Sequence, residues 1–95
     1  LSPARAFDIS VVRRQTDFVR AGLPQDVFES AWSIEIRNAR NDAATVRLVE
    51  SYAGSWTMLS ESAKHQREGA DRAVWRLNVP AQGTATLTYR VRIQR

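Results

Sequence analysis

Thr84-Ala85-Thr86-Leu87-Thr88-Tyr89-Arg90-Val91-Arg92-Ile93-Gln94 is the stretch that decides the fold. Its odd positions (Ala85, Leu87, Tyr89, Val91, Ile93) are apolar, and its even positions are threonine, arginine or glutamine. Successive side chains on a strand point to opposite faces, so this run has one dry face and one wet face. Threonine suits the wet face of a pleated strand because it is β-branched. A helix cannot use this alternation, since it would scatter the apolar groups around its circumference.

The same pattern precedes it. Ala73, Trp75, Leu77 and Val79 alternate with Arg72, Val74, Arg76 and Asn78. Pro80 lacks a ladder donor and ends the run, and Pro80-Ala81-Gln82-Gly83 supplies a turn, so the two runs read as a β-hairpin. Earlier, Phe28, Trp32, Ile34 and Ile36 oppose Glu29, Ser33, Glu35 and Arg37. Arg40-Asn41-Asp42 is turn chemistry, a strand starts near Ala44 with Val46 and Leu48 inward, and Gly54-Ser55 punctuates before a shorter strand from Trp56 to Ser62. Residues 63–71 are too charged for core and read as a solvated loop holding His65, the single histidine. Near the N-terminus Phe7, Ile9 and Val11 share a face, whereas Val12, Thr16 and Phe18 take the other parity. Adjacent valines at that break point to a β-bulge or to a strand that changes sheet. Gly22-Leu23-Pro24-Gln25-Asp26 closes this part as a loop.

Six strands result, or seven if the first divides, with turns every 8–15 residues or so and no amphipathic helix between them; this spacing predicts an all-β, immunoglobulin-like (fibronectin-type-like) antiparallel sandwich. A small closed barrel is the competing architecture. Ninety-five residues support one core and not two, so residues 1–95 read as a single domain. With 43% hydrophobic and 25% charged residues the composition is that of a globular chain rather than a disordered one. No apolar run approaches the length of a membrane span, so direct membrane insertion is not expected.

Composition also narrows the chemistry. No cysteine is present, which removes disulfides, thiolate metal sites and cysteine nucleophiles. The net charge of +4 raises nucleic acid as a partner, but only Arg13-Arg14 are adjacent basic residues and acids are interspersed throughout, so no nucleic-acid role is expected. His65 stands among Lys64, Gln66, Arg67 and Glu68; Ser60, Glu61 and Ser62 lie close in sequence, as they would in any solvated loop, so it reads as a surface loop histidine and not as part of a triad. One histidine and scattered acids offer no metal site and imply no cofactor. Glu29 and Glu35 could be paired carboxylates, but on one wet face they read as partners for Arg37, Arg90 or Arg92. The four glycines are isolated, so no phosphate-cradling loop is present. Trp32 and Trp75 share the parity of core residues. Trp56, just after Gly54-Ser55, could join Tyr52 as an aromatic platform for a sugar, which makes Tyr52, Trp56, Arg90 and Arg92 the candidate ligand or interaction surface.

Phe7-Asp8, Arg13-Arg14-Gln15-Thr16-Asp17-Phe18, Phe28-Glu29-Ser30-Ala31-Trp32-Ser33-Ile34-Glu35-Ile36-Arg37-Asn38, Val49-Glu50-Ser51-Tyr52-Ala53-Gly54-Ser55-Trp56, Val79-Pro80-Ala81-Gln82-Gly83 and Leu87-Thr88-Tyr89-Arg90-Val91-Arg92 occur in this order across the chain. Together they resemble the C-terminal end of the bacterial family named domain of unknown function 4139 (DUF4139). Ser51-Tyr52-Ala53 departs from it, since many relatives carry a proline-containing turn there. The resemblance implies a parent protein several times longer, with this piece as its terminal sandwich, and a periplasmic or cell-envelope location. It carries no catalytic residues. The expected role is a non-catalytic module that packs against upstream domains of its own chain or against another protein. The alternatives are a carbohydrate-binding module using Tyr52 and Trp56, and one wall of an active site in the longer protein.

Overall fold

The structure, a computed structural model, describes residues 8–21 and 27–94. Phe7 and the expected 22–26 loop lie outside the described residues. Seven strands form two antiparallel sheets: β1 (Ile9–Ala21), β2 (Val27–Asn38), β3 (Ala44–Ser51), β4 (Ser55–Glu61), β5 (Gln66–Glu68), β6 (Arg72–Val79) and β7 (Thr84–Gln94). One sheet has the order β1-β2-β7-β4 and the other β3-β6-β5, so the chain is a two-layer sandwich and not a closed barrel.

The alternation that defines β7 places it centrally, with β2 on one side and β4 on the other. Residues in register share a face, so Ile34 lies beside Leu87 and Ile36 beside Ala85, while Trp32 neighbours Tyr89. Ile34, Ile36, Trp75, Val79, Leu87 and Val91 are fully buried between the layers. Trp32 is half-buried at the margin of this core, with the Arg13 guanidinium 4.9 Å from its ring centre.

The 80–83 turn does not make a hairpin. It carries the chain from β6 in one sheet to β7 in the other. Equal alternation on two successive strands is compatible with both outcomes, because the dry faces can lie side by side or face each other. Here they face: Trp75 stacks on Tyr89 across the core, with centroids 4.8 Å apart and planes 27° apart. Gln82 takes the left-handed conformation in this turn (φ 55°), and its backbone N–H donates to Arg40 O at 3.0 Å. A Cβ at Gly83 would come within 2.7 Å of Pro80 Cγ, so the next residue must be glycine for the turn to close.

Two further expectations are corrected. β1 remains in one sheet throughout, and its register slip falls at Thr16, between Gln15 and Asp17, rather than at Val11-Val12. Val12 therefore faces outward, and the slip returns Phe18 to the core-side face, in register with Ser30. The segment 63–71 is not merely loop, because Gln66–Glu68 pair with β6 as the third strand of the smaller sheet. Charge density concealed a strand whose outward side chains are solvated. Val74, on the outward parity of β6, is nonetheless buried, beside a surface depression lined by Lys64, Gln66 and Arg76.

Candidate functional site

Tyr52 and Trp56 are core residues. They are 9% and 6% exposed, their ring centroids lie 5.1 Å apart, and Trp56 Nε1 donates to Ala70 O at 2.9 Å. The Arg67 guanidinium lies 4.1 Å from the Trp56 ring centre. A sugar platform needs a bare aromatic face, and these two rings do not provide one. Gly54 takes the left-handed conformation (φ 78°) in the turn before β4, and the register of Trp56 with Ile93 puts its ring on the core side.

Arg90 and Arg92 stand on the outer face of the larger sheet, where they form a charge ladder with Asp17 and Glu29. Arg90 pairs with Asp17 and, at 3.1 Å, with Glu29 Oε1; Arg92 Nη2 reaches Glu29 Oε2 at 2.9 Å. The ladder spans β1, β2 and β7. Hydrogen bonding, from Arg90 to Asp17 and from Arg92 to Glu29, holds both carboxyls below their ordinary range. Lowered folded-state values mean that these groups stabilise the fold above the ordinary carboxylate range and lose that contribution as pH falls through their folded values. Glu50 acts in the opposite sense. Burial raises it, against the opposing charge of Arg13, so its contribution favours the fold at acid pH and fades as pH rises past its ordinary value. Glu29→Gln should therefore lower the thermal midpoint near neutrality, and the difference from the parent should shrink as pH falls below the ordinary carboxylate range and through the lowered folded-state value. Added salt at neutral pH should shrink it too, because the ladder is solvent-exposed. Thermal melts of both chains across this range check the result.

His65 is not a free surface histidine. Its side chain is 20% exposed, with ring centroids of Trp56 at 5.5 Å and Trp75 at 6.0 Å. Glu61 sits beside it: His65 Nδ1 lies 2.9 and 3.1 Å from the two carboxylate oxygens, and the His65 backbone N–H donates to Oε1 at 3.0 Å. Trp75 Nε1 also donates to Glu61 Oε1, at 3.1 Å. An ionised carboxylate only accepts, which places the imidazole proton on Nδ1. A register slip between Met58 and Ser60 explains why Glu61 is aimed at the core side, where it pairs with Tyr89. Simple alternation from Trp56 would have turned it outward, so the sequence hid this cluster. Glu61 is the acid in contact with His65, and Ser62 Oγ accepts the Thr88 backbone N–H at 2.9 Å. An open depression nearby is lined by Thr16, Ser60, Glu61, Ser62, Thr88 and Arg90, among others, but not by His65. Among the described residues no group of three or more His, Asp or Glu could hold a metal ion.

Two buried hydroxyls remain. Tyr52 Oη and Tyr89 Oη have no hydrogen-bond partner among the described residues. Burial raises both phenols above their ordinary value, and the neighbouring Tyr89 hydroxyl raises Tyr52 further. Both rings are therefore neutral spacers. Arg13 closes the cluster from outside, pairing with Glu50 Oε1 at 2.7 Å.

The unusual surface is β1. It is an edge strand of thirteen residues, with Val11, Val12, Phe18 and Val19 exposed by 45, 49, 53 and 44%. Val12 and Val19 are on the outer face; Val11 and Phe18 are on the core-side face, where Phe18 lies 5.8 Å from Phe28. Soluble domains usually blunt a long edge with short strands, inward charges or proline. β1 has a bulge and three arginines, yet keeps apolar side chains on both faces. No protein-family model, curated protein or solved structure matches the chain.

Proposed function

We propose that this chain is a non-catalytic β-sandwich module that docks onto another polypeptide, an upstream domain of its own parent or a separate protein, through the β1 edge. The observation that carries this reading is the thirteen-residue edge strand with four exposed apolar side chains. Backbone donors and acceptors along such an edge can extend a sheet, and apolar groups on both faces give the added strand something to cover. The charge ladder backs β1 from behind, tying Asp17 to β7 through Arg90, so the edge is presented on a braced sheet. The family resemblance supports a parent protein with further domains, terminal placement of the module, and a bacterial envelope location. An immunoglobulin-like description fits in part: strands 1, 2 and 4 share one sheet and 3 and 6 the other, as in a constant-type domain, with strands 5 and 7 exchanged.

These 95 residues contain no cysteine, so a cysteine introduced into the chain is its single thiol. Single cysteines at Val12 and Val19 should react rapidly with a thiol reagent in the dilute chain, and at least about tenfold more slowly in the parent protein. Cysteine at Thr45, exposed on the other sheet, should react alike in both. Equal reactivity of the β1 cysteines in chain and parent would remove the reading.

A further inference from the structure

Resting on the reading of β1 as a docking edge, we infer that its partner is a second copy of the chain. Two copies pair antiparallel along β1 about a two-fold axis at the Gln15–Thr16 bulge, joining two four-stranded sheets into one of eight strands.

The register comes from the strand itself. In a two-fold antiparallel pair each residue must meet one that points to the same face of the sheet. In an unbroken strand that requires two residues of equal parity. The slip at Thr16 changes this: Val12 and Arg14 share the outer face with Asp17 and Val19, while Val11 and Arg13 share the core-side face with Phe18 and Arg20. A pairing that uses the full length of β1 therefore straddles the bulge. With the axis at the bulge, Val12 meets Val19 of the other copy, and Arg14 meets Asp17, each twice by symmetry. On the other face Phe18 meets the aliphatic stem of Arg13, whose guanidinium stays on Glu50 and Trp32, and Val11 meets the aliphatic stem of Arg20.

Neighbouring registers are worse. Sliding one strand by two residues in one direction sets Val12 against Asp17. Sliding it in the other sets Arg13 against Arg20 and Arg14 against Val19. Only the bulge-centred register puts like with like on the outer face and opposes its charges, and it also aligns the two bulges so that both edges bend together.

Charge fits the same assignment. Arg14 is exposed and has no ion pair among the described residues, whereas Arg13 is held by Glu50. Asp17 holds Arg90 with Oδ2 and accepts the Phe18 backbone N–H with Oδ1 at 2.9 Å, and at 47% exposure both oxygens keep a face open to a second cation. The paired edge is small as interfaces go, below about 1,200 Å², so association is expected between roughly 10 µM and 1 mM.

Sedimentation equilibrium of the 95-residue chain over that range should show a monomer–dimer equilibrium. Arg14→Asp and Asp17→Arg should each weaken association at least tenfold, because each sets like charges opposite one another twice. An equimolar mixture should dimerise again, since every opposed pair is then of opposite sign. Circular dichroism of both variants confirms that each is folded, as expected for exposed positions. Monomer at 1 mM, a dimer indifferent to either substitution, or a mixture no better than the single variants would overturn the inference. If the chain stays monomeric while the Val12 and Val19 cysteines are shielded in the parent, the second-copy assignment fails and the docking reading survives. If they are not shielded either, both fail.

Discussion

Replacing Trp75 with alanine is expected to cost about 4 kcal/mol of folding stability, the largest loss from any single truncation in the core. The side chain is fully buried in the middle of β6 and faces Tyr89 on the opposite sheet. It thus links the two layers directly. Its indole N–H is shared between Glu61 Oε1 and Ala63 O, each at 3.1 Å, which ties β6 to the end of β4 and the segment beyond it. Truncation removes the ring, the stack and the donor together, and leaves Glu61 with less to hold it among aromatic neighbours. Total stability of a small domain is about 5–15 kcal/mol, so the alanine variant loses about a quarter of it or more. Trp75→Phe separates the contributions. It keeps a ring against Tyr89 but loses the donor, and should cost about 1–3 kcal/mol. Urea titrations of the three chains measure this through the midpoint at constant slope. A phenylalanine variant as stable as the parent would show that the Glu61 hydrogen bond contributes nothing; an alanine variant within about 1 kcal/mol would show that the core does not centre on Trp75.

The contrast between what the sequence disclosed and what it concealed follows from how each feature is encoded. Alternation along 72–79 and 84–94 is written in side-chain polarity, and the strands, their faces and their buried residues are as that pattern requires. The sheet to which each strand belongs is not encoded there. A dry face is equally satisfied beside its neighbour or opposite to it, so the 80–83 turn read as a hairpin although it crosses between layers. Bulges are harder still. Each of the slips, at Thr16 and near Leu59, inverts the parity of everything beyond it, and in doing so places Phe18 and Glu61 on the core side. A period-two template run through either point assigns them to the wrong face. Exposure carries the same lesson: Val11, Val12, Phe18 and Val19 are as apolar as any core residue, yet Val12 and Val19 are open on the outer face and Val11 and Phe18 are left open by the position of β1 at the sheet edge.

The candidate surface was therefore half legible. Arg90 and Arg92 sit on the wet face with Glu29, as alternation and charge predict. Tyr52 and Trp56 were ambiguous because both border a turn, and the turn directs them inward. What replaces them in the proposed docking surface, the β1 edge, consists of residues that one-dimensional reading would send to the core. The physical link between the two is the ladder: its ion pairs fix β1 to the sheet from the outer face, while the exposed valines and Phe18 remain available at the margin.

Asn38→Ala is expected to be the most damaging change at a polar residue, costing about 3 kcal/mol. Asn38 ends β2 at 2% exposure. Its Nδ2 donates to three carbonyls, Asp42 O at 2.8 Å, Pro80 O at 3.2 Å and Val79 O at 3.3 Å, and its Oδ1 accepts the Arg40 N–H at 2.9 Å. Its own backbone N–H donates to Gly83 O at 2.8 Å. One amide thus binds the β2–β3 turn and the crossing between β6 and β7, which belong to opposite sheets. Alanine leaves those carbonyls without their donor and the Arg40 amide without its acceptor. Asn38→Asp tests the donor specifically, since it preserves shape and the acceptor for Arg40 but turns a second oxygen toward three carbonyls. The buried carboxyl should be held above its ordinary pKa, because its protonated form can donate where the ionised form repels. Linkage then fixes the sign: the aspartate variant regains stability as pH falls and loses it as pH rises through the raised value. Near neutrality it should be no more stable than the alanine variant, and at about pH 4 clearly more so. If both variants lost the same amount at every pH, the amide would be filling space, and the hold between the two turns would have to come from the backbone alone.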